Sequence, residues 1–451
     1  MMKRFLLLTC MVAAVCTAAH AITGDVNGDG TVNITDVNQV INCILKGDYN
    51  VGADANSDGL VNISDVNQVI SIILGGGSSS DIVPKDIALD DSELIELDEV
   101  IPDDEDALDY GDYVENTVWS TIVRISLDGN TATVTGAPSS VAVQIDGAHV
   151  TITSAAKRVC YIVTGTTPDG SIKFYSERKF QLLLDGVDMT NPNGAAINNQ
   201  CGKSFYLVIN EGTVNTLRDG STYSMIDGED QKAALFSEGQ ILVSGKGLLN
   251  VYSKGRHCMA SDDYILVRPG CHLYLNSSSG HGIKAKDWVH VKGGVINMEI
   301  AADGAKGINC DSLVYITGGR TTIINSGTTR YETDSLGNVV TTGAAGVKSD
   351  YNITMTGGTL NIKCTGADAK GVNVTQPFLF TGGELNVVVT GPQASTAPKG
   401  VKCDSNCTIS GGFFYSCTPH GIALDVDGTL TIDEAYTTLN DTDPRLLEIY
   451  Y

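Results

Sequence analysis

Residues 346–362 read Gly-Val-Lys-Ser-Asp-Tyr-Asn-Ile-Thr-Met-Thr-Gly-Gly-Thr-Leu-Asn-Ile, and residues 400–412 follow the same plan as Gly-Val-Lys-Cys-Asp-Ser-Asn-Cys-Thr-Ile-Ser-Gly-Gly. Each copy has a glycine, a valine and a lysine, then an aspartate, a short apolar strand and a Gly-Gly pair. Such pairs begin at positions 293, 318, 357, 382 and 411, in steps of 25, 39, 25 and 29 residues. A repeat of this length, built from alternating apolar and polar residues, is typical of a solenoid.

The faces of these strands can be separated because successive side chains point to opposite sides of a strand. The two rows predicted to point inward are Val289, Val314, Ile353, Phe378, Cys407 and Val291, Ile316, Met355, Phe380, Ile409. Three short strands per turn predict a parallel β-helix, whereas the alternative, a β-propeller, needs about 40 residues per blade. We expect a right-handed helix because right-handed crossovers are strongly favoured between parallel strands.

The N-terminus, residues 1–21, has the features of a secretory signal peptide. Lys3-Arg4 precedes a short apolar run, and Ala19-His20-Ala21 forms a cleavage site. A lipoprotein would need a small residue before Cys16, where Val15 stands. We therefore predict an exported protein, extracellular or at the cell surface, with the periplasm as an alternative.

Composition restricts the class of partner. The 451 residues carry a net charge of -24 and a pI near 4.5, which argues against nucleic acid. No other stretch is apolar enough to span a membrane. Export permits disulfides, but Cys310 and Cys403 fall in the inward row of Ala285, which favours small core residues over a disulfide framework.

Residues 25–36 and 54–65 are two copies of a twelve-residue loop that repeats with a period of 29. Oxygen ligands at positions 1, 3, 5, 7, 9 and 12, with glycine at position 6, are the pattern of a calcium loop. The predicted ligands are Asp25, Asn27, Asp29, Thr31 (carbonyl), Asn33 and Asp36, and then Asp54, Asn56, Asp58, Leu60 (carbonyl), Asn62 and Asp65. A metal-free Asp/Asn-rich turn is the alternative, and the match of two copies at every ligand position favours two Ca²⁺ ions.

These loops and the helix predicted after each resemble type I dockerin domains over residues 22–75. The resemblance implies a small α-helical calcium-binding domain that docks onto a cohesin domain. Loop positions 10 and 11 usually hold a small or hydroxyl pair in the family but are Ile34-Thr35 and Ile63-Ser64 here. A cohesin-like partner therefore stays open.

Residues 76–112 begin as a Gly/Ser stretch, and residues 81–112 hold about 14 acidic side chains against Lys85 alone. Such a balance predicts a solvated, self-repelling tether, with a short amphipathic turn near Leu94 as the alternative. Residues 113–184 are predicted as a β-rich cap with the first strands, and residues 185–451 as the β-helix, since an open end needs covering.

Residues 183–187, 215–220 and 233–237, together with the glycine repeats, give a second resemblance. They look like a family of exported carbohydrate-binding β-helix proteins, similar in shape to β-helical polysaccharide lyases. The resemblance covers about residues 113–439. It implies binding of plant cell-wall or other acidic polysaccharide, with calcium.

Aligning the repeats on their first glycine predicts an outward row of Lys284, Asn309, Lys348, Asn373 and Lys402, and an acidic row of Glu238, Asp262, Asp311, Asp350, Asp404 and Asp425. Lysines suit the carboxylates of acidic sugars, and aspartates suit bridging calcium. The residues predicted to contact carbohydrate are Lys284, Lys306, Lys348, Lys370, Lys399, Lys402, Asp303, Asp350, Asp368 and Asp404. The alternative is that lysines and aspartates pair across rungs and only stabilise the stack.

The long repeat between positions 318 and 357 predicts a protruding hairpin within residues 326–342, either a groove wall or an indifferent insertion. Aromatic residues make up 6% of the chain, so a continuous stacking platform is not evident, and Trp119 and Trp288 are predicted to be packed. The leading function is non-catalytic carbohydrate binding. A calcium-dependent pectate-lyase-like enzyme and a structural surface protein are the alternatives.

Overall fold

The computed structural model describes residues 24–47, 50–55, 60–73, 84–96, 99–224, 226–335, 337–433 and 436–441. The chain divides into two compact units, Met1–Val83 and Pro84–Tyr451. The predicted signal peptide lies outside the described residues.

The first unit contains two helices, α1 (Ile34–Lys46) and α2 (Ile63–Ile73). The side chain of Asn33 caps α1, and the side chain of Asp36 accepts a hydrogen bond from the backbone amide of Asn33, so both hydrogen bonds of a capping box are present. Gly47 ends α1 with a φ of 68°, a conformation that glycine adopts without strain. Equivalent valines three residues apart on each helix form the core: Val37, Val40, Val66 and Val69.

The second unit is built almost entirely from short strands. Two 3₁₀ turns, Tyr110–Asp112 and Val114–Asn116, precede them. The strands of the first half are β1 (Thr121–Asp128), β2 (Thr131–Thr135), β3 (Val141–Asp146), β4 (Ala148–Ser154), β5 (Val159–Thr167), β6 (Gly170–Ser176), β7 (Phe180–Thr190), β8 (Ile197–Asn199), β9 (Phe205–Ile209), β10 (Val214–Arg218), β11 (Ala233–Ser237), β12 (Ile241–Gly245), β13 (Leu248–Ser253), β14 (His257–Ser261), β15 (Ile265–Val267), β16 (His272–Ser277), β17 (Ile283–Ala285) and β18 (Trp288–Val291).

The second half continues the same succession. Its strands are β19 (Val295–Ile300), β20 (Lys306–Cys310), β21 (Leu313–Ile316), β22 (Arg320–Asn325), β23 (Arg330–Thr333), β24 (Val339–Thr342), β25 (Ala345–Ser349), β26 (Ile353–Met355), β27 (Thr359–Cys364), β28 (Lys370–Val374), β29 (Phe378–Phe380), β30 (Glu384–Val389), β31 (Lys399–Cys403), β32 (Cys407–Ser410), β33 (Phe413–Thr418), β34 (Ile422–Val426), β35 (Leu430–Asp433) and β36 (Tyr436–Asp441).

The strands stack into three faces of a parallel β-solenoid. The first face contains β9, β12, β15, β18, β21, β26, β29, β32 and β35, and the second contains β10, β13, β16, β19, β22, β27, β30, β33 and β36. The third contains β4, β6, β8, β11, β14, β17, β20, β25, β28, β31 and β34. From β8 onward each rung contributes one strand to each face, as the repeat predicts, whereas the long β7 pairs with both β9 and β10.

The inward rows read from the Gly-Gly pairs are confirmed. Val289, Val314, Ile353, Phe378 and Cys407 align on successive rungs of the first face and are buried. Ala285, Cys310 and Ser349 also align on the third face. Every described cysteine is a free thiol, and all but Cys43 are buried. The cysteines therefore pack as small core residues.

The first rungs of the solenoid lie within residues 113–184, the region predicted as the cap with the first strands. Parallel pairing already joins β1 to β5, β5 to β7, and β4 to β6. Only the pairs β1–β2 and β3–β4 are antiparallel at this end. The early rungs lack the Gly-Gly pair, so the repeat cannot be read there from sequence.

The prediction of a tether is wrong for residues 84–96 and 99–112, which we call the strap. The strap lies along the solenoid within the second unit. Asp90 pairs with Arg320 at 3.3 Å and Glu99 with Arg268 at 2.9 Å. Glu96 accepts hydrogen bonds from the backbone amides of Gly270 (2.6 Å) and Gly294 (2.7 Å). Cations and amides from distant rungs thus offset the repulsion among the strap's carboxylates.

The strap runs opposite to the direction in which the rungs succeed one another. Lys85 lies 3.0 Å from Glu384 in β30, whereas Asp90 reaches β22 and Glu99 reaches the turn after β15. The strap thereby leads the chain from the late rungs back to the first strand of the solenoid.

Candidate functional site

The first predicted calcium loop folds around its carboxylates. Asp36 is fully buried and accepts hydrogen bonds from the backbone amides of Val26 (2.8 Å), Asn27 (3.0 Å) and Asn33 (2.9 Å). Asp25 accepts from the amides of residues 28, 29 and 30. An all-oxygen donor set with several carboxylates in one loop fits a hard divalent cation such as Ca²⁺.

The second loop shows the same plan where the structure describes it. Asp65 is fully buried and accepts from the amide of Asn62 at 2.8 Å, as Asp36 does from Asn33. Asp54 is 9% exposed. Asn56 and Asp58 lie outside the described residues.

Two isoleucines stand at equivalent places at the starts of the two helices. Ile34 is 64% exposed and Ile63 is 65% exposed. The repeat therefore places one exposed apolar side chain at the start of each helix.

The outward row of the third face follows the predicted alignment. We call this row, together with Lys306, Lys370 and Lys399, the lysine face. Lys284, Asn309, Lys348, Asn373 and Lys402 pair in register on consecutive rungs. The next residue of the row is Asp425, so the prediction that Asp425 joins the acidic row is wrong. Val401 pairs with Leu424, which shows that alignment on Gly421 is two residues out at this rung.

Four of the six predicted lysines form ion pairs within the solenoid. Lys284 contacts Asp311, Lys348 contacts Asp350, and Lys399 contacts Asp425. Lys402 lies 3.2 Å from Asp404, 3.6 Å from Asp425 and 2.7 Å from Asp427. Much of the positive charge of the row is therefore balanced within the protein.

Lys306 and Lys370 differ, because neither has an ion pair among the described residues. Lys306 is 6% exposed, and its Nζ donates to the Gly304 carbonyl at 2.8 Å. Burial, and then the charge of Lys348, lowers the pKa of Lys306 to about 8. Burial also lowers the pKa of Lys370, with Lys399 as the next cause.

Asp303 and Asp368 are each engaged by nearby loops. Asp303 is exposed and accepts from the Thr328 amide (3.0 Å) and hydroxyl (2.8 Å). Asp368 is 1% exposed and accepts from the amides of Ala394 (2.7 Å) and Ser395 (2.8 Å). Neither aspartate belongs to a three-ligand cluster among the residues the structure describes.

The predicted insertion is confirmed as a hairpin. Strands β23 and β24 pair antiparallel within residues 330–342, and Gly337 turns at its tip with a φ of 85°. Tyr331 from this hairpin donates to the carboxylate of Asp368. Asp368 thus ties the hairpin to the loop that precedes β31.

Sequence reasoning missed a cluster of cations at the start of the solenoid. Lys157 and Arg158 lie in the turn after β4, and Arg178 and Lys179 lie in the turn after β6. All four line one cavity together with Trp119. The sequence shows two dibasic pairs, Lys157-Arg158 and Arg178-Lys179, 21 residues apart. This spacing indicates a cluster only once the two turns are known to stack.

Comparison with known proteins gives the family. Residues 146–443 match the model described as carbohydrate-binding domain-containing protein, which is more than half of the chain. The chain belongs to this carbohydrate-binding domain family. Residues 23–74 match the type I dockerin domain.

One relative and one solved structure extend the comparison. A carbohydrate-binding domain-containing protein of Acetivibrio thermocellus is 28% identical over 114 residues, which is 24% of this chain and 40% of the relative. The chain therefore spans less than half the length of that relative. A polysaccharide lyase-like protein from C. thermocellum, solved as a gadolinium derivative, is 18% identical, with 70% of this chain and 99% of that chain covered and a TM-score of 0.36.

The type I dockerin domains that residues 23–74 match generally bind calcium and cohesin. Among the helices that the structure describes, none has the length and apolar character needed to cross a membrane.

Proposed function

We propose that this chain is an exported carbohydrate-binding protein whose solenoid holds an acidic polysaccharide outside the cell or at its surface. The dockerin module, loaded with two Ca²⁺ ions, attaches it to a cohesin-like partner. Membership of the carbohydrate-binding family, the dockerin match and the N-terminal signal sequence support this proposal.

The observation that carries the proposal is the regular spacing of the lysine face. Lysine and asparagine alternate on consecutive rungs from Lys284 to Lys402. Rungs stack about 4.8 Å apart, close to the scale of one sugar residue. A polyuronate lying along the axis meets a cation or an amide at every step.

The ion pairs on this face set the strength of binding. A uronate carboxylate must share Lys284, Lys348, Lys399 or Lys402 with an aspartate, so each contact contributes modestly. Lys306 and Lys370 carry no such partner and supply positive potential from behind the row. Asp303, Asp350 and Asp404 are exposed and are the oxygens that we propose for calcium bridging to uronate, while Asp368 orients the hairpin at the rim.

The test is the double variant Lys348→Ala/Lys402→Ala in the full chain, measured by calorimetry with polygalacturonate. We expect affinity to fall several-fold with the circular dichroism spectrum unchanged. Calcium should strengthen binding, and salt should weaken it, since screening acts over about 10 Å at 0.1 M. The matched control, Lys246→Ala/Lys254→Ala, removes two exposed lysines outside the face and should bind as the wild type does. Unchanged binding by the first variant, or a preference for neutral cellulose, would place the site elsewhere.

Calcium loading has its own test. The ligands would be the oxygens of residues 25–36 and 54–65, and the ion would fix each loop against its helix. Titration of the full chain should show two sites, and Asp36→Ala/Asp65→Ala should remove both. Calcium uptake unaffected by these substitutions would refute the assignment.

A polysaccharide-lyase activity is the second candidate, and one observation favours it. A general base works best with a pKa near the operating pH, and Lys306 has a pKa of about 8. Elimination from polygalacturonate would give an unsaturated product that absorbs in the ultraviolet. We expect none, because the amine of Lys306 is buried and donates to a carbonyl. Product formation that is lost in Lys306→Met would establish the enzyme.

A further inference from the structure

A cavity of about 410 Å³ opens at the corner between the third and first faces of the earliest rungs. We call it the basic cleft. Its lining residues are Asn116, Thr117, Val118, Trp119, Lys157, Arg158, Arg178 and Lys179. The volume falls within the range of about 300–1,000 Å³ that is usual for ligand pockets.

The charge of the basic cleft is unbalanced. Four of its lining residues are cations, and no carboxylate lines it. None of the four forms an ion pair with any residue that the structure describes. Like charges on stacked turns repel one another, and the chain as a whole carries a net charge of -24, so acidic partners are plentiful elsewhere. A cation cluster left without carboxylates in such a chain favours an external anion.

The backbone of both dibasic turns is held in place. The Arg158 carbonyl accepts from the Thr121 amide at 3.1 Å, and Arg158 has a φ of 58°, in the left-handed region that side chains other than glycine rarely adopt. The Arg178 amide and carbonyl both bond to the Ser176 hydroxyl, at 3.2 Å and 2.8 Å. Strained, well-fixed backbone of this kind clusters at functional sites.

The aromatic wall is also fixed from behind. The indole of Trp119 donates to the Val114 carbonyl at 3.0 Å and packs edge-on against Tyr206, with ring centroids 5.4 Å apart. Lys179 donates to the Tyr206 hydroxyl at 3.2 Å and lies 5.4 Å from the centre of the same ring. Tyr206 therefore positions both an apolar surface and a cation on the cleft, before any ligand arrives.

We propose that the basic cleft is a binding site for an anionic sugar residue, a uronate, whose carboxylate lies between Arg158 and Arg178 and whose ring packs on Trp119. A guanidinium offers a planar pair of donors that matches a carboxylate. The inference rests on the proposed binding of acidic polysaccharide and adds an anchoring site separate from the lysine face. A sulfated sugar carries the same anionic chemistry and is the other source that the test must distinguish.

The test uses the full chain and three short oligosaccharides of equal length, one of galacturonate, one sulfated and one neutral cello-oligosaccharide. The variant is Arg158→Gln/Arg178→Gln. The matched control is Lys348→Gln/Lys402→Gln, which removes the same number of charges from the lysine face. Calorimetry should show at least a tenfold loss of galacturonate affinity in the first variant and a smaller, several-fold loss in the control. Melting temperatures near that of the wild type would show that both variants are folded.

Tryptophan fluorescence gives a second measurement. With Trp288→Phe, Trp119 is the single remaining tryptophan, and its emission should change when galacturonate binds. Tighter binding of the sulfated oligosaccharide with the same dependence on Arg178 would support the anionic site and assign it to sulfate. Wild-type affinity for galacturonate in Arg158→Gln/Arg178→Gln would overturn the basic cleft alone. A wild type that binds no acidic oligosaccharide would overturn the proposed function as well.

Discussion

The lysine face and the basic cleft are both built from cations that a solenoid stacks on neighbouring rungs, yet they treat charge in opposite ways. On the lysine face, the single side chain of Lys402 forms ion pairs with three carboxylates, those of Asp404, Asp425 and Asp427. In the basic cleft Arg158 and Arg178 form no ion pair with a carboxylate of the described residues. Stacking by itself therefore does not make a binding site. A row of cations that the protein neutralises stabilises the stack and can contribute only modestly to each ligand contact, whereas a cluster that it leaves unbalanced offers its full charge to a ligand.

Arg268, which contacts the strap, is a cation whose charge the protein neutralises. Arg268 is only 6% exposed in its side chain and pairs with Glu99 at 2.9 Å and Glu115 at 2.8 Å. It also lies 4.5 Å from the ring centre of Tyr113. The charge of Arg268 is therefore matched by two carboxylates of the same chain, and this cation is not available to a partner.

The largest expected effect is that of reversing a charge in the basic cleft. Arg178→Glu places a carboxylate among the remaining cations, where it competes with the ligand. We expect affinity for oligogalacturonate to fall roughly 50-fold, or about 2.3 kcal/mol. Lys348→Glu on the lysine face should cost only a few-fold. Calorimetry at one fixed salt concentration checks both, and equal losses would remove the distinction between the two regions.

Removing a carboxylate should destabilise the lysine face. Asp425 is 19% exposed in its side chain and contacts both Lys399 and Lys402. Asp425→Asn should therefore lower the free energy of unfolding by about 1–2 kcal/mol, because two partly buried ammonium groups lose a charged partner. Urea denaturation measures the change. An exposed carboxylate without an ion pair, such as Glu177, provides the control: Glu177→Gln should have no effect.

The basic cleft should respond with the opposite sign. Arg158→Gly removes a side chain from a residue with a φ of 58° and reduces repulsion among the cations. We expect the free energy of unfolding to rise by about 0.5–1 kcal/mol while affinity for galacturonate falls. Arg158→Lys keeps both the strain and the charge and should leave stability unchanged. Destabilisation by Arg158→Gly would mean that the guanidinium supports the fold rather than a ligand.

The smallest effect concerns pH and the buried amine behind the lysine face. Lys306 has a pKa of about 8 in the folded protein, below the ordinary 10.5 expected of the unfolded chain. Between these values the unfolded state binds more protons, so this lysine makes the free energy of unfolding rise as pH increases from about 8. Below about pH 8 the amine is protonated in both states, so the free energy of unfolding carries the full penalty of burying its charge. The cations and carboxylate that face it are Lys284, Lys348, Lys370 and Asp350.

The measurement compares urea denaturation of the wild type and Lys306→Met at pH 7 and pH 10. The rise with pH should be smaller in the variant, while Lys348→Met, which removes an ion-paired lysine of the same face, should keep most of it. A rise of equal size in the wild type and Lys306→Met would show that the amine is not the group that titrates.

Much of the solenoid could be predicted because its rules are local. Side chains alternate along a strand, and each Gly-Gly pair sets the register, so Val289 and Lys348 could be assigned to their faces from the sequence. The register failed at Asp425, where the last glycine stands two residues from its expected place in the turn. The strands β5 and β7 lie in the region predicted as the cap with the first strands, but without a Gly-Gly pair their register could not be assigned from the sequence.

By itself the sequence determined the two twelve-residue loops, the repeat and the inward rows set by the Gly-Gly pairs, since all of these depend on residues close together in the chain. Only the tertiary structure decided which charges meet. Glu99 accepts a hydrogen bond from Arg268, which lies 169 residues away in the sequence. Contacts of this kind hold the acidic strap against the solenoid. Lys157 and Arg178 line one cavity because two turns stack, and none of the described residues that line this cavity is a carboxylate. Electrostatic energy depends on distance in space, and that distance is fixed only when the rungs are in place.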